Sequence, residues 1–190
     1  MIGVCCWISE VQQLPELKRC LDSVERFRVI LINGKWYDVK GKHPISIREA
    51  RELIDSYPNV LRINYPGHHE WEARNKYLEQ CSDHDTLIVL DTDEYLQITG
   101  YFEKYITSLP SFKVKGYDAR RGGIVRENRG IRYPGQTRHR DRHNELWWNG
   151  EKLTFEGDPP EHLLIHHDKS YRSPHITQIM KERNRLRPYR

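Results

Sequence analysis

Thr86-Leu87-Ile88-Val89-Leu90-Asp91-Thr92-Asp93-Glu94 is the segment on which the reading of this chain turns. Four apolar residues in succession, bounded by polar ones, match a strand buried on both faces, as in parallel sheets covered by helices. Such a strand cannot hold carboxylates in its interior. The abrupt switch to Asp91, Asp93 and Glu94 therefore marks where the chain emerges at the carboxyl edge of a sheet, the edge at which open α/β folds bind ligands. Asp91 and Asp93 stand two residues apart and share a side in extended conformation, so both are candidates to approach one divalent cation. Hard oxygen donors suit Mg²⁺ or Mn²⁺, which keep positions open for substrate phosphates. Asp83-His84-Asp85 has the same spacing but sits in the turn ahead of the strand, where it reads as a solvated loop.

Upstream, strand-like runs alternate with helical periods, the pattern of an α/β sheet with helices on its faces. Ile2–Ile8 reads as a buried strand. Leu14 to Val24 places Leu14, Leu17, Cys20 or Leu21, and Val24 on one helical face, with Pro15 in the first turn where its missing N–H costs nothing. Arg28–Ile32 is the next strand, closed by Asn33-Gly34 as a turn. Ser46 with Glu49 three residues on predicts a capping box for a helix through Ile54. Asn59–Asn64 is a third strand, and a helix is expected from about His69 to Cys81. Beyond the acidic segment, the expected elements are a helix over Tyr101–Leu109, strands at Lys113–Ala119 and Leu163–His166, and a C-terminal helix over Ile176–Leu186.

The 190 residues suit a single domain. Lys+Arg 31 against Asp+Glu 27 gives +4, too mild an excess to impose wholesale nucleic-acid binding. No apolar run approaches the roughly 18–20 residues that span a bilayer. Met1–Ile8 lacks a basic lead-in and a small-residue cleavage site, so it is read as strand and not as a signal peptide. Cys5, Cys6, Cys20 and Cys81 lack Cys-x-x-Cys spacing, which argues against a zinc knuckle and predicts reduced thiols in a cytoplasmic protein.

Taken together, these residues resemble the nucleotide-sugar glycosyltransferases of GT-A fold, especially the inverting, family-2-like branch, in a short version of archaeal or viral type. The resemblance rests on Ile2-Gly3-Val4-Cys5-Cys6-Trp7 through Leu17–Val24, on Ala73-Arg74-Asn75, and on Val89-Leu90-Asp91-Thr92-Asp93-Glu94, and it covers about residues 1–110. It implies a Rossmann-like, mostly parallel central sheet with helices on both faces. Residues 1–110 would form the nucleotide-sugar-binding half, and residues 111–190 an irregular acceptor and catalytic half. It further implies donor contacts by Cys6, Trp7, Asp38, Arg74, Asp91 and Asp93. Asp91 would lie near the ribose, and Asp93 would hold a Mn²⁺ or Mg²⁺ ion that bridges the diphosphate. Arg74 would offer its rigid fork of donors to the nucleotide. Asp38 stands displaced from the usual acid past the second strand, with Trp36 and Tyr37 as candidates to stack on the base. A late histidine completes such metal sites. His166 is the first candidate and His167 the second, and only one of them can reach Asp93 because adjacent strand residues face opposite ways.

Inverting transfer needs one carboxylate to take the acceptor hydroxyl's proton, and Asp141 and Glu145 are the two candidates. Trp147 and Trp148 are candidates to pack on an acceptor sugar, with core packing expected for one of them. The arginine-rich, glycine-interleaved stretch Arg120–Arg142 is expected as a mobile loop closing over the diphosphate. The partners implied are a nucleoside-diphosphate sugar and a glycan, lipid-linked or protein acceptor. The basic tail, residues 181–190, is a candidate for peripheral contact with an anionic membrane. Two other readings stand beside this one: a nucleic-acid-binding protein using Arg120–Arg142, and a nucleotidyltransferase sharing the acidic pair.

Overall fold

A computed structural model describes residues 1–34, 46–66, 70–100, 111–118, 123–140, 145–154, 162–167 and 177. The expected helix over 101–109, that over 176–186 apart from residue 177, the basic tail, and Trp36, Tyr37, Asp38 and Asp141 lie outside the described residues. The alternation legible in the first half is realised as β1 (Ile2–Cys6), α1 (Leu14–Ser23), β2 (Val29–Gly34), α2 (Arg48–Asp55), β3 (Val60–Tyr65), α3 (Glu70–Leu78) and β4 (Leu87–Asp91). The remainder comprises β5 (Glu94–Ile98), β6 (Ser111–Asp118), β7 (Gly123–Ile131), β8 (Thr137–Arg140), β9 (Glu145–Trp148), β10 (Glu151–Lys152) and β11 (Leu163–His167).

Eight strands form one mostly parallel sheet in the order β3-β2-β1-β4-β7-β6-β11-β5, while β10-β9-β8 form a second, small antiparallel sheet. β1 pairs in parallel with both β2 and β4, so the strand order reverses beside β1. The apolar runs are continuous because both faces of these strands are covered. Leu17, Cys20 and Leu21 of α1 and Ala50 and Ile54 of α2 pack with Ile2, Val4, Leu31 and Leu90. Ala73, Tyr77 and Leu78 of α3 pack with Cys5, Trp7, Ile30 and Val89 on the other face. Gly3 permits this second contact, since a Cβ there would stand 3.2 Å from the Tyr77 ring.

The sheet is curled, and chain continuity shows why. Only Thr92 and Asp93 separate β4 from β5, yet three strands lie between them in the sheet order. Three Cα steps reach about 11 Å at most, whereas four interstrand spacings of about 4.8 Å would need about 19 Å if the sheet were flat. Curling brings the far strands back to the end of β4.

Three local expectations are corrected. Asn33-Gly34 continues β2 in register with Asn64 and Tyr65 instead of turning, because β3 supplies the pairing partners and Asn33 Nδ2 donates to Asn64 Oδ1 at 3.0 Å. Ser46 does not cap α2, whose N-cap residue is Ile47. The Ser46 hydroxyl instead accepts from the Ile8 N–H at 2.9 Å, satisfying the chain just past β1. Third, the expected irregular second half is largely strand. Within Arg120–Arg142, β7 pairs with β6 from Ser111↔Ile131 to Asp118↔Gly123, and β8 pairs with β9. Ladder hydrogen bonds outweigh the glycines there, so residues 123–131 and 137–140 are not a lid.

Candidate functional site

The carboxyl end of β4 is where the polar side chains converge. β4 meets β7 at Leu87↔Ile131 and Ile88↔Gly130. Past that point Arg129 reaches from β7 to Asp91 (Nη2 to Oδ2, 3.5 Å) and to Glu94 (Nη2 to Oε1, 2.5 Å). From α3, Arg74 Nη2 donates to Asp91 Oδ1 at 3.3 Å. Two guanidinium groups from different elements thus hold the two oxygens of one carboxylate. Burial by itself would raise the Asp91 pKa, but the charges of Arg129, Arg74 and His167, with the Arg129 hydrogen bond, outweigh it and hold the carboxyl below its ordinary range.

Glu94 organises the turn. Its side chain is 0% exposed, its Oε2 accepts the Asp91 backbone N–H at 2.8 Å, and its Oε1 lies 3.9 Å from His167 Nδ1. His167, at the end of β11, presents Nε2 to Asp93 Oδ2 at 3.0 Å. The register His167↔Glu94 places it there. His166, one residue back, faces the other way. Its Nε2 lies 2.6 Å from Gln97 Oε1 and its ring stacks on Tyr95 with centroids 4.6 Å apart. Of the two candidate histidines, His167 is therefore the one at Asp93, as strand alternation requires of whichever residue shares a face with buried Leu163 and Ile165.

The structure brings together Arg74, Asp91 and Asp93 from the expected set with His167, the second of the two candidate histidines, and adds Arg129 and Glu94. Cys6 is fully buried and Trp7 nearly so, which keeps their side chains inside the core. Burial pushes the Cys6 thiol up to about 12 against the opposing Ser46 hydrogen bond. Glu145 begins β9. Glu94 had a sequence signal, the alternation Glu94-Leu96-Ile98 against Tyr95-Gln97. Arg129 had none that set it apart from its neighbouring arginines. Asn75, next to Arg74, clasps β8 by accepting the His139 N–H at 2.7 Å and donating to the His139 carbonyl at 3.0 Å, which ties the small sheet to the helix that grips Asp91.

Among the described residues, no group of three or more His, Cys, Asp and Glu side chains is arranged to hold a metal ion. Asp93 Oδ2 and His167 Nε2 stand 3.0 Å apart as one oxygen and one nitrogen donor. Asp91 and Glu94 are already engaged by arginine. A groove of about 510 Å³ lined by Phe27, Arg28, Asn59 and Leu61 lies at the amino ends of β2 and β3, opposite to this cluster. Among the described residues no helix is long and apolar enough to cross a membrane.

No protein-family model matches the chain, and no curated protein matches it. Among solved structures, the apo form of the glycosyltransferase GlyE of Streptococcus pneumoniae TIGR4 is similar at 13% identity with a TM-score of 0.37, over 71% of this chain and 34% of that one. The match thus spans about a third of the length of that protein, a weak likeness that establishes neither fold family nor activity.

Proposed function

We propose that the chain is a single-domain GT-A-like glycosyltransferase that moves a sugar from a nucleoside diphosphate to an acceptor hydroxyl, with inversion. The observation that carries this reading is the convergence of Asp91, Asp93, Arg74, Arg129 and His167 on the carboxyl end of one buried strand. A site that turns two guanidinium groups and an Asp–His pair toward the same point suits a substrate with several negative oxygens. Arg74 and Arg129 would hold diphosphate oxygens with preorganised N–H donors, and Asp91 keeps both arginines in place. Asp93 and His167 would hold a Mn²⁺ or Mg²⁺ ion. When bound, that ion supplies Lewis-acid stabilisation of the departing diphosphate. Asp141 or Glu145 would take the proton from the acceptor hydroxyl. In this reading residues 1–110 carry most of the donor site, and the second half contributes Arg129 and His167 through the shared sheet.

Calorimetric titration with nucleoside diphosphates, with and without Mn²⁺, tests the proposal. Binding is expected to tighten with metal and to lose that dependence in Asp93→Ala. A wild-type protein indifferent to metal and nucleotide, or an Asp93→Ala variant that binds as wild type does, refutes it.

A further inference from the structure

Tyr77 sits where a phenylalanine would satisfy the packing. Its side chain is fully buried in the cluster that α3 makes with Cys5, Trp7 and Val89, and its ring lies over Gly3. A hydroxyl in such surroundings costs stability unless its hydrogen bonds are made, so the partners it meets indicate what it does. On one side is Arg74, three residues earlier and a neighbour on the helix surface, whose guanidinium hydrogen-bonds the hydroxyl. On the other side is His139 of β8, with Nε2 3.4 Å from the Tyr77 oxygen and its ring edge-on to the phenol at a centroid distance of 6.4 Å. His139 is itself buried, and Asn75 clasps both polar groups of its backbone.

The chemistry of the three groups fixes the direction of the bonds. Guanidinium only donates, so Tyr77 Oη accepts from Arg74. Burial is the largest influence on the Tyr77 pKa and raises it against the opposing Arg74 charge, so the phenol keeps its proton. That proton is then available to His139 Nε2, which turns the hydroxyl so that a lone pair faces Arg74. The mostly buried Arg74 side chain also reaches Asp91 Oδ1 at 3.3 Å, a long contact that constrains the fork weakly. The hydroxyl supplies a second point of attachment, away from water.

We infer that Tyr77 is a positioning residue for Arg74: its hydroxyl, oriented by His139, holds the guanidinium in the attitude it takes at Asp91, so the seating of β8 on α3 helps to set the anion grip. The use of that grip on a nucleoside diphosphate rests on the transferase reading above, whereas the positioning is a property of the protein without ligand.

The test uses the full chain with isotopically labelled arginine, in which the Arg74 Nε–H resonance is identified by its loss in Arg74→Lys. Nuclear relaxation of that resonance reads how firmly the side chain is held. The wild type is expected to show a rigid Arg74, and Tyr77→Phe a mobile one. His139→Gln, which keeps a polar acceptor near the place of Nε2, should hold Arg74 as the wild type does, and His139→Leu should loosen it. In the calorimetric titration, Tyr77→Phe should weaken nucleoside diphosphate binding about fivefold, the worth of one hydrogen bond. A hydroxyl with only a structural role would lower the melting temperature and leave Arg74 rigid, and that outcome overturns the inference. So do an Arg74 already mobile in the wild type, equal behaviour of the two His139 variants, and nucleoside diphosphate binding unaffected by Tyr77→Phe. A wild-type protein that binds no nucleoside diphosphate sinks the transferase reading alone, because the Arg74 resonance reports the positioning without ligand.

Discussion

Removing the Arg129 guanidinium should cost more stability than removing it together with its partner. Arg129 and Glu94 face each other at 2.5 Å with side chains 16% and 0% exposed, so either one left alone is a charge held away from water. Breaking one side of such a pair costs about 3–5 kcal/mol, whereas replacing both members with neutral groups is often close to neutral. Glutamine is the substitution of choice at position 94 because its amide oxygen can still accept the Asp91 N–H, so that only the charge is lost. Arg129 also touches Asp91 at 3.5 Å, but that carboxylate is 39% exposed, and a screened contact of this kind adds at most about 1 kcal/mol. Arg129→Gln and Glu94→Gln are each expected to lose about 3–5 kcal/mol, and the double variant about 2 kcal/mol or less, a coupling of several kcal/mol. Against a total stability of about 5–15 kcal/mol for a domain, the single variants should unfold at visibly lower urea, with the double variant recovering most of the loss. Urea unfolding followed by circular dichroism at pH 7 measures all four proteins. Additive losses, or an Arg129→Gln loss under about 1 kcal/mol, would show that Glu94 and Arg129 do not form the buried pair described here.

Gly130 lies under the Phe112 ring so closely that a Cβ cannot fit. Gly130→Ala should lose about 1–3 kcal/mol, and Phe112→Leu in the same chain should recover part of it in thermal melts. Asn75→Ala removes both bonds to the His139 backbone. It should destabilise by about 1–3 kcal/mol and speed hydrogen exchange at the His139 amide, and unchanged exchange would count against the clasp. Because the Asp91 pKa is depressed in the folded state, its contribution is present above the unfolded value near 3.9 and is lost as pH falls through the folded value. The stability gap between wild type and Asp91→Asn should therefore close below pH 4, and a gap that persists unchanged to pH 2 would contradict it. Burial raises the thiols of Cys6, to about 12, and of Cys20, well above the usual range. Neither should react with a thiol reagent at pH 8 until urea unfolds the chain.

Much of the fold was legible because burial on both faces leaves a continuous mark. Leu87–Leu90 and Val29–Ile32 are apolar at every position, and the two helix-covered faces explain why. The exit of the chain at Asp91 was equally plain, since a carboxylate cannot sit inside such a strand. Alternation alone also limited the histidines to one at Asp93, and the register of β11 with β5 selected His167. Other features depended on distant partners. Ser46 resembles a helix cap until Ile8, 38 residues away, takes its hydroxyl. Asn33-Gly34 resembles a turn until β3 pairs with it. Arg129 is one arginine among many in its stretch, and nothing local distinguishes it. The curl of the sheet, imposed by two residues between strands that lie four places apart, sets it against Glu94 and Asp91. Local sequence records which faces are buried and where charge must surface. Which charges then meet depends on strand order and curvature, and those arise from contacts spread over the whole chain.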